Sequence, residues 1–240
     1  MINHIPERSV LVVIAHDDPH DLAQELQRHP CTRLSIHGTP ENLDALSEHP
    51  ELEDVTLDKC ECADLDALRG LTRLRQLSIA FGPLSSMDLD FCKDTLEFLQ
   101  LARLKRLKDL STLPPMPKLE HLTLSQLHGF APPDFRNFPG LRFLSIWNTD
   151  WTTLKWLSHL PHLVDVHISQ ARVTDKGWEP LLELPQLRHL HGFRSVFGAA
   201  ACKEFMRRRP EVRVDQGIPV DLEKHPEVKE YMDQLAKKEG

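Results

Sequence analysis

Aromatic residues are scarce in this chain. One Tyr, four Trp and ten Phe amount to 6% of 240 residues, while hydrophobic residues, dominated by leucine, reach 40%. A compact enzyme core usually mixes in more Val, Ile and Phe, so the composition fits one leucine-filled domain or an extended solenoid better. Long apolar runs are missing as well. Val10 to Ala15 is six residues, and the preceding MINHIPERSV has no charged leader region, which excludes an export signal or a membrane span built on that stretch. Cysteine is sparse and odd in number: Cys31, Cys60, Cys62, Cys92 and Cys202 have no framework spacing, and Cys60-x-Cys62 is not followed by a second pair at zinc-ligand distance. Such thiols are expected to be small buried apolar groups in a reducing compartment, here a bacterial cytoplasm. Positive charge is in deficit, with a net charge of -7 and a pI near 6.0. That balance predicts no attraction to nucleic acid or acidic membranes. The one basic run along the chain, Arg207-Arg208-Arg209, reads as a solvated helix end. Gly-x-Ser-x-Gly, Walker and dinucleotide fingerprints are all absent.

What the chain has instead is a repeat. The lines CTRLSI (31–36), LEDVTL (52–57), LRQLSI (74–79), LEFLQL (96–101), LEHLTL (119–124), LRFLSI (141–146), LVDVHI (163–168) and LRHLHG (187–192) follow one another in steps of 21, 22, 22, 23, 22, 22 and 24 residues. The apolar pattern continues between them. Cys60, Leu65, Leu68 and Leu71 after the second line match Thr149, Leu154, Leu157 and Leu160 after the sixth in position, give or take a small residue. Pro50, Pro117, Pro139, Pro161 and Pro185 stand two residues before a line, where a ring that cannot continue a helix stops the return segment. After Leu74 the pattern falters, with Asp90 and Lys93 where Leu is expected, which predicts an irregular return there.

These lines resemble the leucine-rich repeat family in its roughly 22-residue class, over residues 31 to 215 or so. Thr39, Cys60 and Thr149 occupy the place where that family often puts Asn, Cys or Thr, and RVTDKGWEPLLELPQLRHL (172–190) is similar to its Thr-Asp-x-Gly variant. The resemblance implies an α/β solenoid: a parallel β-sheet on the concave face, with short helices or 3₁₀ turns on the convex face. One repeat cannot bury its apolar face alone; stacking makes a continuous core whose ends need caps. The expected organisation is an N-terminal strand-helix cap at 1–30, about eight repeats at 31–217, and a capping helix at 218–240, where Val228, Tyr231, Met232 and Leu235 share a stripe.

The stretch VLVVIAHDDPHDL (10–22) is the most site-like in the chain. His16, Asp17 and Asp18 are similar to the acidic motif of zinc-dependent sugar deacetylases, but the proline follows the acids and no glutamate closes the motif. The favoured explanation is helix initiation: a strand from Ser9 to Ala15, Asp18 as N-cap, Pro19 at the first helical position, Asp21 in the first turn, and Leu22 and Leu26 on one packing face.

Strand alternation sends the fourth and sixth residues of each line inward and the third and fifth to the concave face. The N-terminal lines show small polar groups and single charges there. The C-terminal lines show Phe98, His121, Phe143, Asp165, His167, His189 and His191, with Trp147 and Phe193 just beyond the strands. These nine residues are the expected partner-binding patch, since exposed aromatics on a rigid surface make interface anchors. Asp165, His167, His189 and His191 form a two-by-two block, with His167 beside His191 and Asp165 beside His189. Such a block has the residue types for a divalent metal or a pH response without the local spacing of a zinc motif. The expected function is therefore non-enzymatic: a scaffold that docks a partner protein, with no cofactor, no metal and no catalytic residue. The alternatives are a metal-dependent enzyme using the His/Asp block or His16, Asp17 and Asp18, and a substrate-receptor subunit or a bacterial effector or immunity-type protein.

Overall fold

The computed structural model describes residues 10–15, 21–127, 129, 132–149, 151–169 and 177–215. Ten strands follow in chain order: β1 (Val10–Ala15), β2 (Arg33–Gly38), β3 (Asp54–Asp58), β4 (Gln76–Ala80), β5 (Phe98–Ala102), β6 (His121–Ser125), β7 (Phe143–Trp147), β8 (Asp165–Ser169), β9 (His189–His191) and β10 (Arg213–Val214). They form one open sheet in the order β1 to β10, every pair parallel. The pairing has no stagger: Arg33, Asp54, Gln76, Phe98, His121, Phe143, Asp165 and His189 are successive partners across seven pairs.

Two local devices hold this register. Turns occupy 50–51, 117–118, 139–140, 161–162 and 185–186, each opening at one of the prolines placed two residues before a line. At the start of each strand from β3 to β9, two successive N–H groups donate to one carbonyl of the previous repeat. Glu53 and Asp54 donate to Thr32 O, Arg75 and Gln76 to Glu53 O, and Glu120 and His121 to Glu97 O, all between 2.8 and 3.2 Å. These bonds involve only backbone, so they recur whatever the side chains are.

The core is the leucine ladder. Leu34, Val55, Leu77, Leu99, Leu122, Leu144, Val166 and Leu190 are buried in register, as are Ile36, Leu57, Ile79, Leu101, Leu124, Ile146 and Ile168. Each such side chain contributes about 2 kcal/mol relative to exposure. On the other side of the core, 3₁₀ helices at Leu43–Glu48, Asp66–Leu68, Phe135–Asn137, Lys155–His159 and Glu179–Glu183 close the returns. Between β4 and β5 no helix forms, as the faltering pattern predicts; Leu84, Met87, Leu89 and Cys92 still reach the core. The return between β5 and β6 is non-helical too, with Leu104, Leu107, Leu110 and Leu113 buried at every third position. Cys31 and Cys92 lie inside, and burial pushes their thiols up to about 11 and about 12. Such thiols stay protonated and unreactive.

The ends differ from the expectation in particular ways. The first helix, α1 (Leu22–Arg28), is capped by Asp21, whose carboxylate accepts from Ala23 N at 3.0 Å and Gln24 N at 3.4 Å; Asp18 is not the N-cap. Several acids precede the helix, and the proline rule selected the wrong one. Leu22 and Leu26 are buried together as expected. His16, Asp17, Asp18 and Pro19 lie outside the described residues, as does the segment expected to cap the C-terminus (218–240). Within the described residues a second helix, α2 (Phe193–Arg208), is broken at Gly198 and buries Cys202 and Phe205, and β10 adds a short strand beyond the last repeat line. Arg207 and Arg208 end α2 in solvent, whereas Arg209 donates to Leu182 O at 2.7 Å and Leu184 O at 3.1 Å, tying the helix end to the last return.

Candidate functional site

The face of the sheet turned away from the core carries the third, fifth and seventh residues of each line. Its composition changes along the stack. On β2 and β3 the charges are mutually satisfied. Arg33 Nε donates to Asp54 at 2.9 Å, and His37 Nδ1 lies 3.2 Å from an Asp58 oxygen. A carboxylate only accepts, so His37 carries a proton on Nδ1, and its Nε2 lies within hydrogen-bond distance of Ser35 Oγ, at 3.1 Å. β4 is small and polar, with Gln76, Ser78 and Ala80.

From β5 to β7 the face becomes aromatic. The Phe98 and His121 rings are 6.1 Å apart, and the His121 and Phe143 rings are stacked at 5.4 Å. Three rings from three successive strands thus form one row, because each repeat line places its third residue opposite its neighbour's. Phe98 and Phe143 are half-buried and His121 is exposed. Trp147 stands on the same face four residues further along β7 and is 38% exposed. The floor beside the row is made of small residues: Thr123, Ser145, Ala102 and Ser125.

β8 and β9 hold the His/Asp block with the expected register, Asp165 opposite His189 and His167 opposite His191. Asp165 Oδ2 is 3.4 Å from His189 Nδ1, and its buried Oδ1 is 3.3 Å from His191 Nε2 without hydrogen-bond alignment. The other ring nitrogen of His191, Nδ1, lies 2.8 Å from Asp215 Oδ2, a partner just after β10 that no local spacing announces. His167 has its pKa lowered, first by burial and then by the neighbouring His191, against a smaller opposite pull from Asp165. Among the described residues no group of three or more His, Cys, Asp or Glu is arranged to hold a metal ion. His121, Asp165, His167, His189 and His191 therefore stand where alternation puts them. Phe193 does not extend the strand face: Gly192, at φ 73°, ends the strand, and Phe193 opens α2; its side chain lies outside the described residues. Gly192 is required there, since a Cβ would meet Ile168 O at 2.1 Å.

The first strand adds a feature that sequence reading did not assign. Val10, Val12 and Ile14 are 55%, 53% and 59% exposed on the same face, while Val13 alone of β1 is buried. A second unassigned cluster lies at the C-terminal edge of the middle strands, where Lys59, Phe81, Arg103 and Gln126 stack one above another. Spacing of 22 residues hides them from any search for a basic run.

No family model matches the chain, and no curated protein matches it. Solved structures do. Internalin F from Listeria monocytogenes superposes with a TM-score of 0.55 at 20% identity, over 77% of this chain and 60% of that one. Internalin C2 from the same organism gives 0.53 at 20% identity, over 83% and 79%. TLR13 in its complex with ssRNA13 gives 0.51 at 18% identity, over 75% of this chain and 32% of that one. The chain is a leucine-rich repeat solenoid. The open face just described is the concave face of that leucine-rich repeat coil, and its returns form the convex side. The chain spans only 60% of the length of internalin F, and the likeness is one of fold. No helix among the described residues is long and apolar enough to cross a membrane.

Proposed function

We propose that this leucine-rich repeat chain is a non-catalytic scaffold that docks a partner protein on the middle of its concave face. The observation that carries the proposal is the row Phe98–His121–Phe143, with Trp147 beside it, on a sheet whose register is fixed by backbone bonds. Rings held by a rigid support lose little freedom on binding, and a few of them supply most of an interface's energy. The row lies between two polar flanks, Arg33, Asp54, His37 and Asp58 on one side and Asp165, His167, His189 and His191 on the other. An apolar centre inside a polar rim is the common anatomy of such interfaces. The rim residues orient the partner and add little affinity. A metal-dependent reaction on the His/Asp block has less behind it: Asp165 lies between His189 and His191, His191 turns its other nitrogen to Asp215, and among the described residues no group of three or more His, Cys, Asp or Glu is arranged to hold a metal ion. The chain's negative charge favours a protein over a nucleic acid as partner. The reducing cytoplasm is the proposed compartment, supported by thiols that are unlinked, four of them buried and Cys62 half-buried.

The test uses the full chain as bait in the native host's lysate, beside a Phe143→Ala, Trp147→Ala double variant. Each partner captured by the wild type is then purified and mixed with it, and amide hydrogen exchange is measured. Docking as proposed slows exchange in β5 to β7 and weakens affinity at least about 30-fold in the double variant, as two interface anchors would. Protection confined to the convex returns or to the ends, with undiminished capture, overturns the concave-face reading.

A further inference from the structure

We infer that the chain carries a second docking site, a cationic groove at the C-terminal edge of β3 to β6 that takes an acidic peptide segment of a protein. It is separate from the concave row. The groove has a volume of about 760 Å³, within the range of sites that hold a bound ligand. Lys59, Phe81, Arg103, Lys105 and Arg106 line it, with Glu61 the one carboxylate.

Its construction follows from the repeat. Lys59, Phe81 and Arg103 each come two residues after the last inward-facing residue of a line, and each has positive φ, at 55°, 58° and 54°. Bulky side chains rarely adopt that conformation. It is enforced here because each N–H donates to the next strand: Lys59 to Ala80 O, Phe81 to Ala102 O, Arg103 to Ser125 O, between 2.9 and 3.1 Å. The turn therefore projects one side chain per repeat from the same place, a strand spacing apart. Lys59 Nζ sits 5.8 Å from the centre of the Phe81 ring and Arg103 Cζ 4.7 Å from it, so the ring is bracketed by cations from the repeats before and after. Arg103 also bonds Gln126.

Three features select the ligand. First, three of the cations are available. Arg33, Arg69, Arg73 and Arg75 all pair with carboxylates, whereas Lys59, Lys105 and Arg106 make no ion pair among the described residues. A cationic cluster on a chain of net charge -7 is a local attraction that acts over roughly 8 Å at physiological salt. That range suits a short acidic segment and not a long polyanion, which would run on over negative surface. Second, the Phe81 ring is 43% exposed, yet cations stand over it. Base stacking needs an open ring face. Carboxylates meet the cations themselves and are drawn to the positively polarised edge of such a ring. Third, Phe81 and Pro83 give an apolar strip among the cations. Peptide backbone and an apolar side chain fit such a strip between two acidic residues; a bare phosphate does not use it.

The test is selection of a random twelve-residue peptide library on the immobilised full chain, with binding of the enriched peptides then measured by fluorescence anisotropy. Lys105 and Arg106 are exposed, so a Lys105→Glu, Arg106→Glu variant keeps its thermal unfolding profile, which circular dichroism checks. The expected result is a pool enriched in Asp and Glu around an apolar residue, with affinity lowered at least tenfold in that variant and unchanged in Phe143→Ala, Trp147→Ala. The last arm separates this groove from the concave row, so either site stands or falls alone. A pool without acidic bias, or acidic peptides that bind the charge-reversed variant equally well, overturns the inference. A twelve-nucleotide oligothymidine that binds the groove more tightly than the peptides also overturns it, in favour of nucleic acid. So does the lack of any saturable peptide binding up to about 1 mM.

Discussion

Strands β2 and β3 of the concave face pair their outward charges with one another; the middle strands do not. On β2 and β3, Arg33, His37, Asp54 and Asp58 pair across the strands, and Ser35 completes the His37 contacts. On β5 to β7 the same positions hold Phe98, His121, Phe143 and Trp147, and the first three meet one another through ring contact. The backbone is the same in both regions, with the same register and the same shared-carbonyl bonds. The difference therefore lies wholly in the side chains of alternate positions. It teaches that the leucine ladder determines shape and leaves recognition to residues the fold does not need.

That separation can be attacked first from below. Leu122 is fully buried directly beneath the row. Leu122→Ala leaves a cavity there and is expected to cost about 3–5 kcal/mol in urea unfolding, and to weaken partner capture because the rings lose their support. An equal loss of capture from Leu34→Ala, under the paired charges, would show that the two regions are not independent. Next comes the end of the face. Gly192→Ala puts a Cβ at 2.1 Å from Ile168 O on a residue with φ 73°, and is expected to cost about 2–4 kcal/mol by the same measurement.

A smaller effect separates the third region, β8 and β9, from both others. The folded pKa of His167 lies below its ordinary 6.5. The unfolded chain then takes up a proton that the folded chain refuses, so this contribution to stability is complete above pH 6.5 and is lost as pH falls below it. The expected outcome is a melting temperature that declines on acidification below that point. His167→Gln should flatten the decline, while a change on β2 or β3 should leave it unaltered. The smallest effect belongs to the paired charges. Arg33→Ala removes a pair whose arginine is half exposed and should change stability by less than about 0.5 kcal/mol. It should also leave partner affinity within about threefold, since contacts at an interface rim carry little of the binding energy. A larger loss of affinity would extend the site to the N-terminal strands.

Much of this arrangement can be read from the lines themselves. Leucine spacing specifies the buried positions, and alternation then specifies which residues share the opposite face, so Phe98, His121, Phe143 and Asp165 fall where counting places them. Two kinds of feature escape such counting. One depends on where regular structure stops. Asp17, Asp18 and Asp21 are all capable of capping α1, and only the backbone path selects Asp21; likewise Gly192 ends β9 early and diverts Phe193 into α2. The other depends on residues one repeat apart. Lys59, Phe81 and Arg103 never appear as a run, and Asp215 meets His191 only because β10 pairs with β9. Writing the residues beyond each line as a column would have exposed the first of these. Val10, Val12 and Ile14 resist for a different reason: an apolar strand looks like core along its whole length, whereas alternation puts these three on the open face.

The unstaggered pairing has one further consequence. Gain of a whole repeat between β7 and β8 would slide the histidine flank away from the rings by roughly 4.8 Å while leaving both intact. The molecule can thus be lengthened notch by notch, so the span between its contact points is adjustable in fixed increments without redesign of any one of them.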